Sequence, residues 1–310
     1  MACGKEEDNV FKEVGVHLLM VERILSKSSR DPDVILLGVP YDKTSSFGKG
    51  ADKGPEAIIE CFQQLEVYER FTETRPAKEL AIATVIMADI GNAPPEQMVQ
   101  GVSQKAGSYL SKGKFVLALG GEHSISAGIL DAWAKVRDPK EITVVQIDAH
   151  MDLRDDDSDY NEHPSRYAHS CVMRRAVEKG FPLVQVGIRA YADFELDAAK
   201  KHHVDAYEWP REENGALTAA ILKSVRTKDI YISIDADGLD PAHMPATGTP
   251  VQGGLSWKFA FGLLKSLFEG KNVIGADMVE VAPRPNDTLT EFGAAQLCYY
   301  MIALKFKGRK

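Results

Sequence analysis

The feature that most constrains the fold is an alternation between short apolar runs and stretches with helical spacing. Runs such as VILLGVP (34–40) and EITVVQIDAH (141–150) are almost continuously hydrophobic rather than alternating with polar residues. Strands of this kind are buried on both faces, as in a parallel sheet whose crossover connections are helices. The pattern therefore predicts an α/β fold, a three-layer α/β/α sandwich with a mainly parallel sheet.

The elements can be placed from this pattern. We predict strands at 34–40, 80–90, 114–121, 141–150, 182–189, 229–237 and 272–280. We predict helices between them at 95–112, 124–136, 170–180, 192–202, 215–226, 256–269 and 290–306. A Gly-rich loop leads into a further helix near Pro55, and residues 10–26 form an amphipathic helix in an N-terminal extension (1–30). No long linker interrupts the chain, so we expect one domain over 1–310.

A TIM barrel is the alternative architecture, because strand and helix alternation alone does not distinguish it from an open sheet. In both folds ligands bind at the carboxyl ends of the strands. The search for functional residues therefore concentrates on the residues that directly follow each apolar run.

Composition narrows the function. The chain has 310 residues and a net charge of -8, which disfavours a nucleic-acid partner because such proteins usually present a basic face. No apolar run approaches the roughly 18 residues of a membrane span, so no membrane association is expected. The four cysteines are widely separated, which predicts reduced thiols, and the polar N-terminus lacks a secretory signal. These features favour a cytoplasmic protein.

Acidic and histidine side chains follow several of the predicted strands. Because the carboxyl ends of parallel strands meet at one edge of the sheet, these side chains can converge on one point. A lone aspartate there is usually a cap or turn residue, but the joint pattern is rarely produced by capping. The predicted metal ligands are His123, Asp148, His150, Asp152, Asp235 and Asp237.

The ligand set indicates the metal chemistry. Four carboxylates and two imidazoles, with no thiolate, suit Mn²⁺ or another first-row divalent ion rather than a structural zinc site. Four negative charges are too many for one ion, so the set predicts two cations held by bridging carboxylates. The sequence alone leaves Mn²⁺, Co²⁺ and Ni²⁺ open as the native metal.

Five ordered motifs resemble signatures of the ureohydrolases, which include arginase, agmatinase, guanidino-acid hydrolases and formimidoylglutamase. They are GGEHS (120–124), DAHMD (148–152), SIDADGLDP (233–241), GTPVQGG (248–254) and DMVEVAP (277–283). The resemblance implies a parallel sheet of about eight strands and two Mn²⁺ per subunit. It implies that Asp148 and Asp235 bridge the ions, with His123 and Asp152 on one and His150 and Asp237 on the other.

The resemblance also implies the reaction and its residues. Glu280 matches the carboxylate that faces the substrate guanidinium, and Asp237 is a candidate acceptor for the proton of the attacking water. A histidine would return a proton to the leaving amine. His169 is the favoured shuttle, because HSCVMRR (169–175) matches a family motif, and His163 is the alternative. The family further implies a homo-oligomer, a trimer or a hexamer.

The substrate is predicted less directly. Arg154 stands where arginase has an asparagine, so arginine is disfavoured, and the acidic loop after it favours the cationic tail of agmatine, with putrescine as product. Arg154 or Arg166 could instead bind a carboxylate, which would favour 4-guanidinobutyrate, 3-guanidinopropionate or formiminoglutamate. Arg154 and His163 are therefore candidate substrate-binding residues beside Glu280.

Asp52 and Ala246 depart from the family pattern without touching a predicted ligand. A non-catalytic homologue, serving as a regulatory or assembly subunit, is the alternative from another class.

Overall fold

The computed structural model describes residues 31–308, so the predicted N-terminal extension and its helix at 10–26 lie outside the described residues. Within the described part, every apolar run that predicted a strand contains one. The strands are β1 Val34–Val39, β2 Ile82–Ile86, β3 Phe115–Gly120, β4 Ile142–Ile147, β5 Leu183–Ile188, β6 Asp205–Glu208, β7 Asp229–Asp235 and β8 Asn272–Val279.

The eight strands form one sheet in the order β2-β1-β3-β8-β7-β4-β5-β6, and every neighbouring pair is parallel. The prediction of a parallel sheet of about eight strands is confirmed. The sheet is open, with β2 at one edge and β6 at the other, so the TIM-barrel alternative is wrong. Strand β8, the last along the chain, lies in the middle of the sheet between β3 and β7.

Helices connect the strands and cover both faces of the sheet, which confirms the three-layer arrangement. The α-helices of the described residues are α1 Gly54–Phe62, α2 Pro76–Glu79, α3 Pro95–Leu110, α4 Ile125–Val136, α5 Val172–Lys179, α6 Asp193–Lys201, α7 Gly215–Ser224, α8 Trp257–Gly270 and α9 Leu289–Phe306. Two apolar clusters separate along the two faces. One includes side chains of α1, α7, α8 and α9, and the other includes side chains of α3, α4, α5 and α6.

Burial explains why the apolar runs were recognisable. All side chains of β1, β3, β4 and β5 are buried, as expected for strands covered by helices on both faces. Strand β6 was not predicted, because its sequence DAYE is polar and its residues are half-buried or exposed at the sheet edge. The predicted strand at 80–90 is shorter in the structure, since Ala88–Asn92 forms a 3-10 turn. Among residues 31–308, no helix has both the length and the hydropathy of a membrane span.

Candidate metal centre

The candidate centre lies at the carboxyl ends of the four central strands. In sheet order these are β3, β8, β7 and β4, which are consecutive neighbours. His123 follows β3, Glu280 follows β8, Asp235 ends β7 and Asp148 follows β4. Residues far apart in the sequence therefore converge because their strands pair, and not because of their spacing along the chain.

The first group of ligand atoms surrounds the Nδ1 atom of His123. This atom lies 3.1 Å from Asp148 Oδ2, 3.1 Å from Asp152 Oδ2 and 3.4 Å from Asp235 Oδ2. All four side chains are nearly or fully buried. His123, Asp148 and Asp235 each offer a ligand atom within 4.8 Å of the others, the spacing that one cation requires.

A second group shares Asp148 with the first. The Nδ1 atom of His150 lies 3.6 Å from Asp148 Oδ1 and 3.1 Å from Asp237 Oδ2, and these three residues also offer ligand atoms within 4.8 Å of one another. The two oxygens of Asp148 thus face different histidines. Asp148 is thus common to both groups of closely spaced ligand atoms, and Asp235 lies in the first group.

The burial and crowding of the ligand side chains indicate that the donor set fits two divalent cations. The Nδ1 atom of His123 is buried, has no hydrogen-bond partner among residues 31–308 and faces three carboxylates. Burial, followed by the charge of Asp148, raises the pKa of Asp152. Burial, followed by the charges of Asp237 and Asp148, likewise raises the pKa of Asp235. Buried carboxylates this crowded are costly unless cations compensate them.

Hydrogen bonds from buried polar groups orient the ligands. The Nε2 atom of His123 lies 2.8 Å from Ser233 Oγ, which donates to Asp277 Oδ1 at 2.7 Å. This contact occupies Nε2 and directs Nδ1 toward the carboxylates. Gln146 donates to Asp148 Oδ2 at 2.6 Å, and Thr249 donates to Asp237 Oδ2 at 3.2 Å. Outer contacts of this kind hold metal ligands in place.

Glu280 and His169 lie together beside the first group. Glu280 Oε1 accepts the backbone N–H of His123 at 2.7 Å and lies 3.6 Å from His169 Nδ1. Burial opposes the imidazolium charge, but the adjacent carboxylate of Glu280, with Glu122 and Asp152, raises the pKa of His169 to about 9. His169 therefore tends to carry a proton in this environment.

Two of the site residues have backbone in the left-handed region. Asp152 has φ 54° and Glu280 has φ 60°, a conformation that non-glycine residues seldom adopt. Such conformations cost free energy and persist where the surrounding structure imposes them, often at functional sites. In this chain they follow β4 and β8, where the backbone turns to direct both carboxylates into the centre.

A cavity of about 400 Å³ opens onto the centre, and it is the space available to a substrate. His150, Asp152, His169 and Asp235 are among its lining residues. The remaining lining residues were not predicted, and they are Ser46, Tyr160, Ser170, Ala190, Tyr191, Ala192, Glu195 and Thr249, together with the predicted Arg154. Residues 190–195 directly follow β5, so the strand-end reasoning that located the ligands could also have located Glu195.

The predicted tail-binding residues are dispersed. Arg154 lines the cavity, but its guanidinium is paired with Asp159 and lies over the rings of Tyr160 and Phe194, at 5.5 and 5.2 Å from their centroids. Arg166 pairs with Asp155 and Glu178 on the surface and does not line the cavity.

His163 is exposed and does not line the cavity either. Its backbone N–H donates a hydrogen bond to the side chain of Asn161. Of the two histidines considered for the proton shuttle, the structure brings only His169 to Glu280. Asp52 and Ala246, the departures from the family pattern, also lie outside the cavity lining.

Comparisons with known proteins agree with this geometry. A sequence profile described as "Arginase family" matches residues 32–303. The chain is 37% identical to an N(1)-aminopropylagmatine ureohydrolase of Synechocystis sp. over 89% of this chain and 90% of the relative. It is 33% identical to an agmatinase of Bacillus subtilis, over 82% and 84% of the two chains. A crystal structure described as a hypothetical agmatinase from Burkholderia thailandensis superposes with a TM-score of 0.78 and 30% identity, covering 91% and 88%.

Proposed function

The chain belongs to the arginase family, as an agmatinase-like ureohydrolase acting on amidine C–N bonds, and we propose that it hydrolyses agmatine to putrescine and urea. The observation that carries the reaction is the pair of ligand groups that share Asp148, with the Glu280 carboxylate beside them. Members of the family are binuclear metal-dependent hydrolases, and the donor set of this chain fits that description.

We propose that the resident metal is Mn²⁺, two ions per subunit. His123, Asp152 and Asp235 would hold one ion, His150 and Asp237 the other, and Asp148 would contact both. Asp235 would be a second bridging residue, as the family motif implies. When bound, the ions lower the pKa of water and polarise the guanidinium carbon for attack.

The protein side chains orient the substrate and move the protons. Glu280 binds the planar guanidinium through charge-assisted hydrogen bonds, which places the carbon over the metal centre. Asp237 accepts a proton from the attacking water. His169, whose Nδ1 lies 3.6 Å from Glu280, delivers a proton to the leaving amine, a step for which its raised pKa suits it.

The charges around the cavity support a substrate with a cationic tail. A carboxylate tail would need a free guanidinium or ammonium group, but Arg154 is already paired with Asp159 and enclosed by aromatic rings. Glu195 is a carboxylate of the cavity lining and is only 3% exposed, and its two oxygens accept the backbone N–H groups of Leu153 and Ala192. Tyr191, also in the cavity lining, adds a ring face that attracts cations.

N(1)-aminopropylagmatine is a second candidate substrate. Relatives from Synechocystis and two Thermus thermophilus strains, 36 to 37% identical to this chain, carry that activity in their names. The compound has the same guanidinium and a longer cationic tail. The exposed ring of Tyr191 at the cavity lining, hydrogen-bonded to Glu208, offers a path for such a tail toward solvent.

The decisive experiment is a substrate panel with Mn²⁺-loaded protein. We would measure urea release from agmatine, N(1)-aminopropylagmatine, arginine, 4-guanidinobutyrate and 3-guanidinopropionate, and formamide release from formiminoglutamate. Turnover confined to the first two compounds supports the proposal. Turnover confined to the carboxylate-tailed compounds would contradict it, and tight metal binding without turnover would favour the non-catalytic alternative.

The histidine assignment has its own test. We expect His169→Ala to lower kcat by roughly 10²–10⁴-fold, the usual contribution of general acid catalysis. Metal content should remain near two ions per chain, because His169 belongs to neither ligand group. His163→Ala is the matched control and should retain nearly full activity, since its side chain is exposed. The reverse result would show that His163 is the shuttle.

The compartment, the oligomeric state and the substrate class of the enzyme are also proposals. We propose a cytoplasmic homo-oligomer, a trimer or a hexamer, with a small-molecule guanidino compound as its only substrate class. Light scattering coupled to gel filtration would measure the oligomer mass, and a monomer at micromolar concentration would contradict that part of the proposal.

A further inference from the structure

A buried carboxylate beside the metal centre takes no part in the mechanism described above. Glu122 is fully buried and precedes the ligand His123. Its side chain belongs to neither ligand group and instead accepts hydrogen bonds from Thr44 and Ser124. The distances are 2.7 Å from the Thr44 backbone N–H, 2.5 Å from the Thr44 hydroxyl and 2.6 Å from the Ser124 hydroxyl. Burying a charge at this depth is costly without such partners.

Thr44 links Glu122 to a third segment of the chain. The Thr44 hydroxyl donates to Glu122 and accepts the backbone N–H of His169 at 3.0 Å. Thr44 belongs to the loop that follows β1, Glu122 follows β3, and His169 follows the irregular segment after Asp152. The Thr44 hydroxyl therefore joins three segments of the chain that are not paired here as strands of the sheet.

The hydrogen bond from the backbone N–H of His169 to Thr44 holds a part of the backbone that regular secondary structure does not fix. Residues 153–168 contain no helix or strand, so regular secondary structure does not fix the backbone that leads into His169. Its ring has Nδ1 3.6 Å from Glu280 and a buried Nε2 without a hydrogen-bond partner in the described structure. The ring lines the substrate cavity. A shift of the backbone at residue 169 would move both nitrogens relative to the bound guanidinium.

From this geometry we propose that Thr44 and Glu122 are positioning residues, which hold the His169 imidazole beside Glu280 for proton transfer. The inference rests on the proposed function only for the identity of the transferred proton. Thr44 does not line the cavity, although Ser46 of the same loop does. Thr44 and Glu122 therefore act through His169 and not by contact with the substrate.

The test compares two substitutions at one position. Thr44→Val removes the hydroxyl and keeps the shape, whereas Thr44→Ser keeps the hydroxyl. Because a misplacement of about 1 Å can cost about 10²-fold in rate, we expect Thr44→Val to lower kcat by roughly 10- to 100-fold. KM and metal content should change little. Thr44→Ser should restore kcat to within about threefold of the wild type, on the same argument.

A double-mutant cycle separates positioning of His169 from a general structural effect. In the His169→Ala background, Thr44→Val should cause no further loss of kcat, because the group that it positions is absent. Glu122→Gln, which can still accept from Thr44, should lower kcat less than Thr44→Val. Equal kcat in Thr44→Val and Thr44→Ser, or a full additional loss in the His169→Ala background, would overturn the proposal.

Crystal structures of the two Thr44 variants give a readout that does not depend on turnover. We expect the distance between His169 Nδ1 and Glu280 Oε1 to stay near 3.6 Å in Thr44→Ser and to increase in Thr44→Val. An unchanged distance in Thr44→Val would count against the positioning role. If the wild type hydrolyses no guanidine, the proposed function fails while this structural test still decides the role of Thr44.

Discussion

At the residue scale, the two ring nitrogens of His123 have different neighbours. Its Nδ1 atom faces three carboxylates, and its Nε2 atom lies against Ser233, which donates to the buried Asp277. The contact at Nε2 leaves Nδ1 as the nitrogen that a cation can use. Tyr231 also donates to Asp277, at 2.7 Å, so the orientation of the ligand depends on a short buried chain of hydrogen bonds.

This chain predicts a graded loss of metal affinity. Ser233→Ala removes the direct partner of the His123 ring, and we expect the affinity for Mn²⁺ to fall by about 10- to 100-fold. Tyr231→Phe removes a bond two steps from the ring and should have a smaller effect. Isothermal titration of the metal-free proteins measures both affinities. A larger loss in Tyr231→Phe than in Ser233→Ala would contradict the proposed order of contacts.

The shared position of Asp148 predicts different metal stoichiometries for two variants. Asp148→Ala removes a ligand from both groups, so we expect a protein that retains little metal at either position. His150→Ala removes a ligand from the second group only, and we expect about one tightly held ion per chain. Metal analysis after gel filtration distinguishes the outcomes. Equal stoichiometry in the two variants would contradict the division of ligands.

Sequence reasoning could identify the candidate ligands but only a small part of the cavity wall. The ligands follow buried strands, so an apolar run that ends in Asp or His marks them. Arg154 shows the limit, because its guanidinium pairs with Asp159 and lies over the ring of Phe194, a residue of α6. Which partner an arginine takes depends on how the segments pack, and local sequence does not determine that.

At the element scale, helices α3 and α4 approach closely through glycine. A Cβ atom added at Gly128 of α4 would lie 2.6 Å from the Cβ of Val102 in α3 and 2.9 Å from the Val99 carbonyl oxygen. A Cβ added at Gly107 of α3 would meet only Ala132, at 4.0 Å. The absence of a side chain at Gly128 therefore allows the two helices to approach closely. At Gly107 a methyl group would fit without a collision.

This difference predicts opposite effects of the same substitution. We expect Gly128→Ala to lower the free energy of unfolding by about 1–3 kcal/mol, because the two helices must separate to admit the methyl group. Gly107→Ala should raise it by roughly 0.5–1 kcal/mol, because alanine favours a helix interior. Urea denaturation measures both values. A destabilising Gly107→Ala would show that the space at α3 is not available.

Strands that are buried on both faces could be predicted from the sequence, whereas the exposed edge strand β6 could not. The central strands could be recognised because both of their faces are covered. Strand β6 pairs with β5 alone, lies at the edge and has a polar sequence, so its hydrogen bonds rather than its side chains define it. Edge strands carry a weak hydrophobic signal for this physical reason, and single-sequence patterns miss them.

At the scale of the whole molecule, the metal centre couples stability to cations. Its carboxylates are buried and mutually repulsive, and Asp152 and Asp235 have raised pKa values as a result. A ligand that binds only the folded state stabilises it. We expect chelation of the metals to lower Tm by about 5 °C or more, given typical shifts for chains of this size. Calorimetry of metal-loaded and chelated protein tests this, and equal Tm values would contradict it.

The place of β8 in the sheet has a consequence for biosynthesis. This strand is the last to leave the ribosome, yet it lies between β3 and β7. Until it emerges, the earlier strands can pair only as two separate sheets, β2-β1-β3 and β7-β4-β5-β6. His123 belongs to one of these sheets, whereas Asp148 and Asp235 belong to the other, so the first ligand group cannot form before β8 joins the two sheets. The complete two-cation centre can therefore form only after synthesis has passed β8, whereas the ligands of the second group come from the paired strands β4 and β7 and can meet earlier.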